Sequence, residues 1–119
     1  VGKTKAISIR IEQKDIVPMS DINGVVTINY SGRFDGVQVN TYIMGASEQV
    51  RFVSMNNKPV SLITRLYMRR DDIHEGSFKF TARIEKLGLP GASVRFRAAI
   101  IQEHKEVESD TIFVLVAAQ

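Results

Sequence analysis

The sequence predicts an all-β chain folded as an antiparallel two-sheet β-sandwich of about eight strands. Three observations carry this. Apolar and polar side chains alternate with a period of two in one segment after another. Clusters of Gly, Pro, Asn and Asp separate these segments at intervals of roughly a dozen residues. No window holds the helical period for more than a turn or two. A lone sheet would leave its apolar face wet, so a second sheet is expected over it, with a closed barrel as the alternative. At 119 residues the chain matches one domain, residues 1–119, and is long enough to bury a core without staples.

The elements follow in order. Ile7, Ile9 and Ile11 alternate with Ser8, Arg10 and Glu12 and open the chain as a strand. "GVVTINYSG" sets Val26, Ile28 and Tyr30 against Val25, Thr27 and Asn29, with β-branched and aromatic types dominant. "FDGVQVNTYIMG" sets Val37, Val39, Thr41 and Ile43 against Gln38, Asn40, Tyr42 and Met44. "EQVRFV" and the turn "MNNKP" lead to "VSLITRLYMRR", read as one strand with Val60, Leu62, Thr64, Leu66 and Met68 on one side. "SFKFTARIE" buries Phe78, Phe80, Ala82 and Ile84 and exposes Lys79, Thr81, Arg83 and Glu85. The corner "KLGLPGA" follows, where Gly88 and Gly91 admit unusual dihedrals and Pro90 cannot donate to a ladder. Val94, Phe96, Ala98 and Ile100 then alternate with Ser93, Arg95, Arg97 and Ala99, and "HKEVESD" reads as a charged turn. "TIFVLVA" lacks alternation, which predicts a strand covered on both faces or lying at a domain junction.

The order of "SDINGVVTINYSGRFDGVQVNTYIMGASEQ" and "EGSFKFTARIEKLGLPGASVRFRAAI", with "KAISIRIEQKDIVP" as opening strand, resembles the amino-terminal domain of arrestin-fold proteins. The resemblance implies an arrestin-like, or more loosely immunoglobulin-like, sandwich that serves as a scaffold or adaptor binding proteins without catalysis. The family's usual second sandwich domain is not in this sequence, and Lys3 and Lys5 merely lie near the opening strand, so no functional residue is carried over.

Sixteen Lys and Arg against 13 Asp and Glu leave a net charge of +3, which favours anionic partners but falls short of a dedicated nucleic-acid binder. Residues 61–100 hold eight basic and four acidic side chains, whereas residues 101–119 hold one and four, so the middle is basic and the tail acidic. The absence of cysteine removes disulfides and thiolate chemistry and suits a cytoplasmic setting. "VGKTK" has neither an initiating methionine nor a signal-peptide apolar region, no apolar run is long enough to span a bilayer, and the chain stops directly after an apolar run; the ends fit a domain of a longer protein.

Two surfaces are candidates for function. Lys79, Arg83, Arg95 and Arg97 share the phase opposite the phenylalanines, and Arg65 and Arg69 extend the set if their strand joins the same sheet. Such a basic face would suit phosphorylated protein, acidic lipid or nucleic acid, although poor aromatic interleaving disfavours base stacking; the plain alternative is a solvated face. The second is strand addition at Gln38, Asn40 and Tyr42, whose uncharged side chains would not repel an incoming peptide, provided that strand is an edge and not internal. "DDIHE" gathers Asp71, Asp72, His74 and Glu75, types that can hold a divalent cation, but without recognised ligand spacing it reads as a polar turn. His74 and His104 sit in turns, and neither a nucleophile elbow nor a phosphate loop occurs, so no enzyme and no cofactor is expected. A protein or peptide partner is the expected one, with an anion-binding role toward nucleic acid or acidic membrane as the alternative.

Overall fold

The computed structural model describes residues 5–45, 50–84 and 91–117, and for Ser61, Leu62 and Ile63 the backbone alone. The Leu-Gly-Leu-Pro corner with Gly88 and Pro90, together with Glu85, Lys3 and the Leu62 side chain, lies outside the described residues. Among the described residues nine strands form: β1 (Ile7–Ile11), β2 (Ile22–Ile28), β3 (Gly36–Ile43), β4 (Arg51–Met55), β5 (Lys58–Ile63), β6 (Arg65–Arg69), β7 (Ser77–Arg83), β8 (Ser93–Gln102) and β9 (Lys105–Leu115). They make two antiparallel sheets, one of five strands in the order β1-β2-β7-β4-β5 and one of four in the order β6-β3-β8-β9. The expected two-sheet sandwich is thus the fold. No helix among the described residues is long and apolar enough to cross a membrane.

Alternation does its work between the sheets. Val26, Phe78, Phe80 and Ala82 of the first sheet face Val37, Val39, Val94, Phe96 and Ile100 of the second, and all are buried. Phe80 sits at the centre. Its ring meets Phe52 edge-on at 5.4 Å and Phe96, from the opposite sheet, at 6.5 Å. The ring needs room on the neighbouring strand. Gly24, paired with Phe80, supplies it, because any Cβ there would fall within the ring.

Three readings of the sequence are corrected here. "VSLITRLYMRR" is two strands in different sheets, β5 and β6, separated at Thr64. Both inner faces of a sandwich look onto one core, so a chain that changes sheets can keep its alternation unbroken; Leu66 and Met68 are buried as expected. "HKEVESD" is mostly strand: the turn is only Glu103 and His104, both at positive φ, with the Glu103 N–H donating to Asp35 Oδ2 at 2.8 Å. "TIFVLVA" is not covered on both faces within this domain. Ile112 and Val114 are half-buried against the core, while Phe113 and Leu115 project from the outer face and are exposed.

The edges of the two sheets meet along one side. β1 and β9 face each other there, and Asp110, on the inward phase of β9, accepts a hydrogen bond from the Ile9 N–H at 3.0 Å and pairs with Lys5 Nζ at 2.9 Å. Burial of this carboxyl works against its ionisation, but the Lys5 and Ile9 donors outweigh it and hold the group below its ordinary range. An inward charge on an edge strand is also a known obstacle to strand addition. On the far edge, β5 carries Pro59, which cannot donate to a further ladder.

Candidate functional site

The outer face of the four-stranded sheet holds most of the side chains with functional potential. Register sets them in rows across β6, β3, β8 and β9. One row runs Arg65, Asn40, Arg97, Thr111; the next runs Tyr42, Arg95, Phe113; beyond it Ser93 lies opposite Leu115. Met44 joins that end, its N–H donating to the Ser93 carbonyl at 2.9 Å. Ile16 bridges Val116 in parallel, which brings Val17 alongside the end of β9.

This end of the face is apolar. Tyr42, Met44, Phe113, Leu115 and Val17 are 48, 47, 60, 54 and 52% exposed. Five side chains at about half exposure present on the order of 500 Å² of apolar surface, near the upper limit for the largest patch on an ordinary monomer. In its midst stands Arg95. The guanidinium lies over the Tyr42 ring, 5.5 Å from its centroid, within cation–π range. Its Nε is buried and has no hydrogen-bond partner, and among the described residues no carboxylate pairs with it.

The neighbouring cations are treated differently. A register shift in the β8–β9 ladder brings Glu106 opposite Ile101, and its carboxylate forks Arg97 at 2.5 and 2.6 Å, with Ser109 Oγ at 3.2 Å. That hydrogen bonding, with the opposite charge behind it, lowers the Glu106 pKa and raises that of Arg97 despite some burial. Arg65 Nε donates to Asn40 Oδ1 at 3.1 Å, which also receives Gln38 Nε2 at 3.5 Å. Arg69 lies 4.0 Å from Asp71, both well exposed.

The single basic face does not form. Lys79 and Arg83 belong to β7 in the five-stranded sheet, so they point away from Arg65, Arg69, Arg95 and Arg97 on the opposite side of the molecule. Arg83 is occupied by Asp21 at 2.6 Å. Successive strands around a corner need not be sheet neighbours, and here the chain crosses from one layer to the other. The strand-addition edge is corrected as well. Gln38, Asn40 and Tyr42 lie on β3, which pairs with β8 at all three and with β6 at Gln38 and Asn40, so pairing at Gln38 and Asn40 is used on both sides; Tyr42 lies beyond the last β6 partner. Tyr42 nevertheless belongs to a candidate site, as a face residue beside Arg95. Met44, Phe113, Leu115 and Val17 escaped sequence reasoning, although the unbroken apolar run "TIFVLVA" was the signal for two of them.

At the other end of the sandwich, Asp72 and His74 border a cleft of about 360 Å³ with Met55, Asn56, Lys58 and Met68. Among the described residues no three metal-ligating side chains cluster, and Lys58, which lines the same cleft, adds a positive charge that opposes a cation.

No family model matches the chain, and no curated protein matches it in sequence. Solved structures do. The human F-spondin reeler domain aligns with a TM-score of 0.60 at 12% identity, covering 94% of this chain and 93% of that one. The fold resembles that of the reeler domain. BslA, a bacterial hydrophobin, aligns at 0.58 with 18% identity over 95% of this chain and 98% of its own. The adhesin InvE of Yersinia pseudotuberculosis aligns at 0.56 with 10% identity over 94% of this chain and 32% of its own. At such identities the likeness is one of fold. It also corrects the arrestin resemblance, since the structural neighbours are reeler, hydrophobin and adhesin domains and not arrestins. Strand alternation with glycine and proline punctuation is common to many sandwiches; what separates them is strand order, which local pattern does not encode.

Proposed function

We propose that this domain is a non-enzymatic protein-interaction module that docks its partner on the apolar end of the outer β3–β8–β9 face. One observation carries the reading: Tyr42, Met44, Phe113 and Leu115 are about half exposed around Arg95 on a rigid sheet. Aromatic residues, Met and Arg are the types enriched where proteins bind one another, and a sheet presents them at little entropic cost. The likeness of fold to an adhesin domain is in keeping with it. An electrostatic role toward nucleic acid or membrane is less well supported, because Arg97 and Arg83 are taken by Glu106 and Asp21.

The test is site-directed photocrosslinking. A benzophenone side chain is installed at Phe113, and separately at Lys79 on the outer face of the other sheet as control. Discrete protein adducts from position 113, missing from position 79, are expected. The same adducts from both positions, or none from 113, would refute the assignment.

A further inference from the structure

We propose that the docked partner is a protein segment presenting one carboxylate side chain between apolar ones, the carboxylate forked by Arg95 while its neighbours cover Tyr42, Phe113 and Leu115. This rests on the docking reading above and adds the partner's chemistry. The domain's other facing guanidiniums show what is missing. Arg97 has Glu106 and Arg83 has Asp21, whereas Arg95 has the Tyr42 ring beneath it and no carboxylate among the described residues; the Nε of Arg83 is as buried and unpartnered as that of Arg95, so the missing carboxylate is what sets Arg95 apart. Its planar fork matches a carboxylate in bidentate geometry, and the apolar surround would exclude water from that contact and strengthen it.

Charge count selects carboxylate over phosphate. A phosphomonoester carries nearly two charges and is ordinarily met by a cluster of cations. Among the described residues Arg95 is the guanidinium within the apolar rows; the next row holds Arg97, neutralised by Glu106, and Arg65, whose Nε donates to Asn40 across β3 from it. A lipid headgroup is disfavoured for the same reason. A single cation set among apolar side chains matches a single carboxylate.

The experiment titrates the domain, followed by amide and arginine Nε–Hε NMR signals, with short peptides that place one Glu between Leu and Phe residues. A twin with Gln in place of Glu, a twin with phosphoserine, and vesicles containing phosphatidylserine serve as further probes. The Glu peptide should move the signals of Tyr42, Arg95 and Phe113 and bind at least about tenfold more tightly than the Gln twin, the worth of a charge-assisted pair. Arg95→Gln should equalise the two peptides, and Arg95→Lys, which keeps charge and stem but not the fork, should lose most of the preference. Retained amide dispersion shows that each variant folds. Equal binding of the Glu and Gln peptides at the patch would overturn the carboxylate and leave the docking reading standing. Tighter binding of the phosphoserine peptide or the vesicles would overturn it too. Failure of every peptide to reach the patch overturns this inference, while the crosslinking from position 113 judges the docking reading separately.

Discussion

Replacing Asp110 with alanine removes the group that joins β1 to β9. The Ile9 N–H, on a residue only 4% exposed, loses its acceptor at 3.0 Å, and an unsatisfied buried donor costs about 1–3 kcal/mol. The Lys5 pair adds little, about 0.5 kcal/mol, because the lysine side chain is 66% exposed and screened by water. A loss of about 2 kcal/mol is therefore expected, which for a domain of this size lowers Tm by roughly 8 °C. Asp110→Asn keeps an acceptor for Ile9 and should lose about half as much. The pH dependence has a definite sign. The folded carboxyl titrates below its ordinary value of 3.8, so its contribution is fully present above that pH and is lost as pH falls through the lower native value. The Tm difference between the parent and Asp110→Asn should thus stay level from about pH 5 to pH 8 and shrink below about pH 4. Thermal unfolding followed by circular dichroism measures both. A Tm for Asp110→Ala within about 2 °C of the parent, or a difference between parent and Asp110→Asn undiminished in acid, would refute the account of this seam.

Two further substitutions test the core and the outer face. Phe80→Ala empties the contact between the two sheets and should cost about 4 kcal/mol, read as a lower urea midpoint with an unchanged slope. Glu106→Gln releases Arg97 from a half-exposed pair, so less than about 1 kcal/mol of stability should be lost. That pair depresses the Glu106 pKa, so the loss should be seen at neutral pH and vanish as acid protonates the parent.

How much was legible follows from what a local pattern can hold. The buried faces of β3, β7 and β8 were all readable, because a period of two is a property of consecutive residues: Val37 with Val39, Phe78 with Phe80, Val94 with Phe96. The positions of Lys79 and Arg95 relative to each other were not. Each was correctly assigned to an outer phase, yet the phases belong to different sheets, and only the order of strands separates them by the thickness of the molecule. Gln38, Asn40 and Tyr42 show the same limit, since whether a strand is an edge depends on partners distant in the chain. The run Ile112 to Leu115 told that both phases were apolar, and the fold then left one of them open to solvent.

Alternating side chains and turn residues by themselves determined that this chain is all-β, that its apolar faces must meet, and which residues of β3, β7 and β8 line the interior. Tertiary structure alone decided that Tyr42, Arg95 and Phe113, far apart along the chain, stand in one row, and that Arg95 there lacks, among the described residues, the carboxylate Arg97 has. The reason is physical: burial is repaid residue by residue along a strand, whereas lateral neighbours are chosen by hydrogen-bonded pairing between segments, which many orders of the same strands would satisfy equally well.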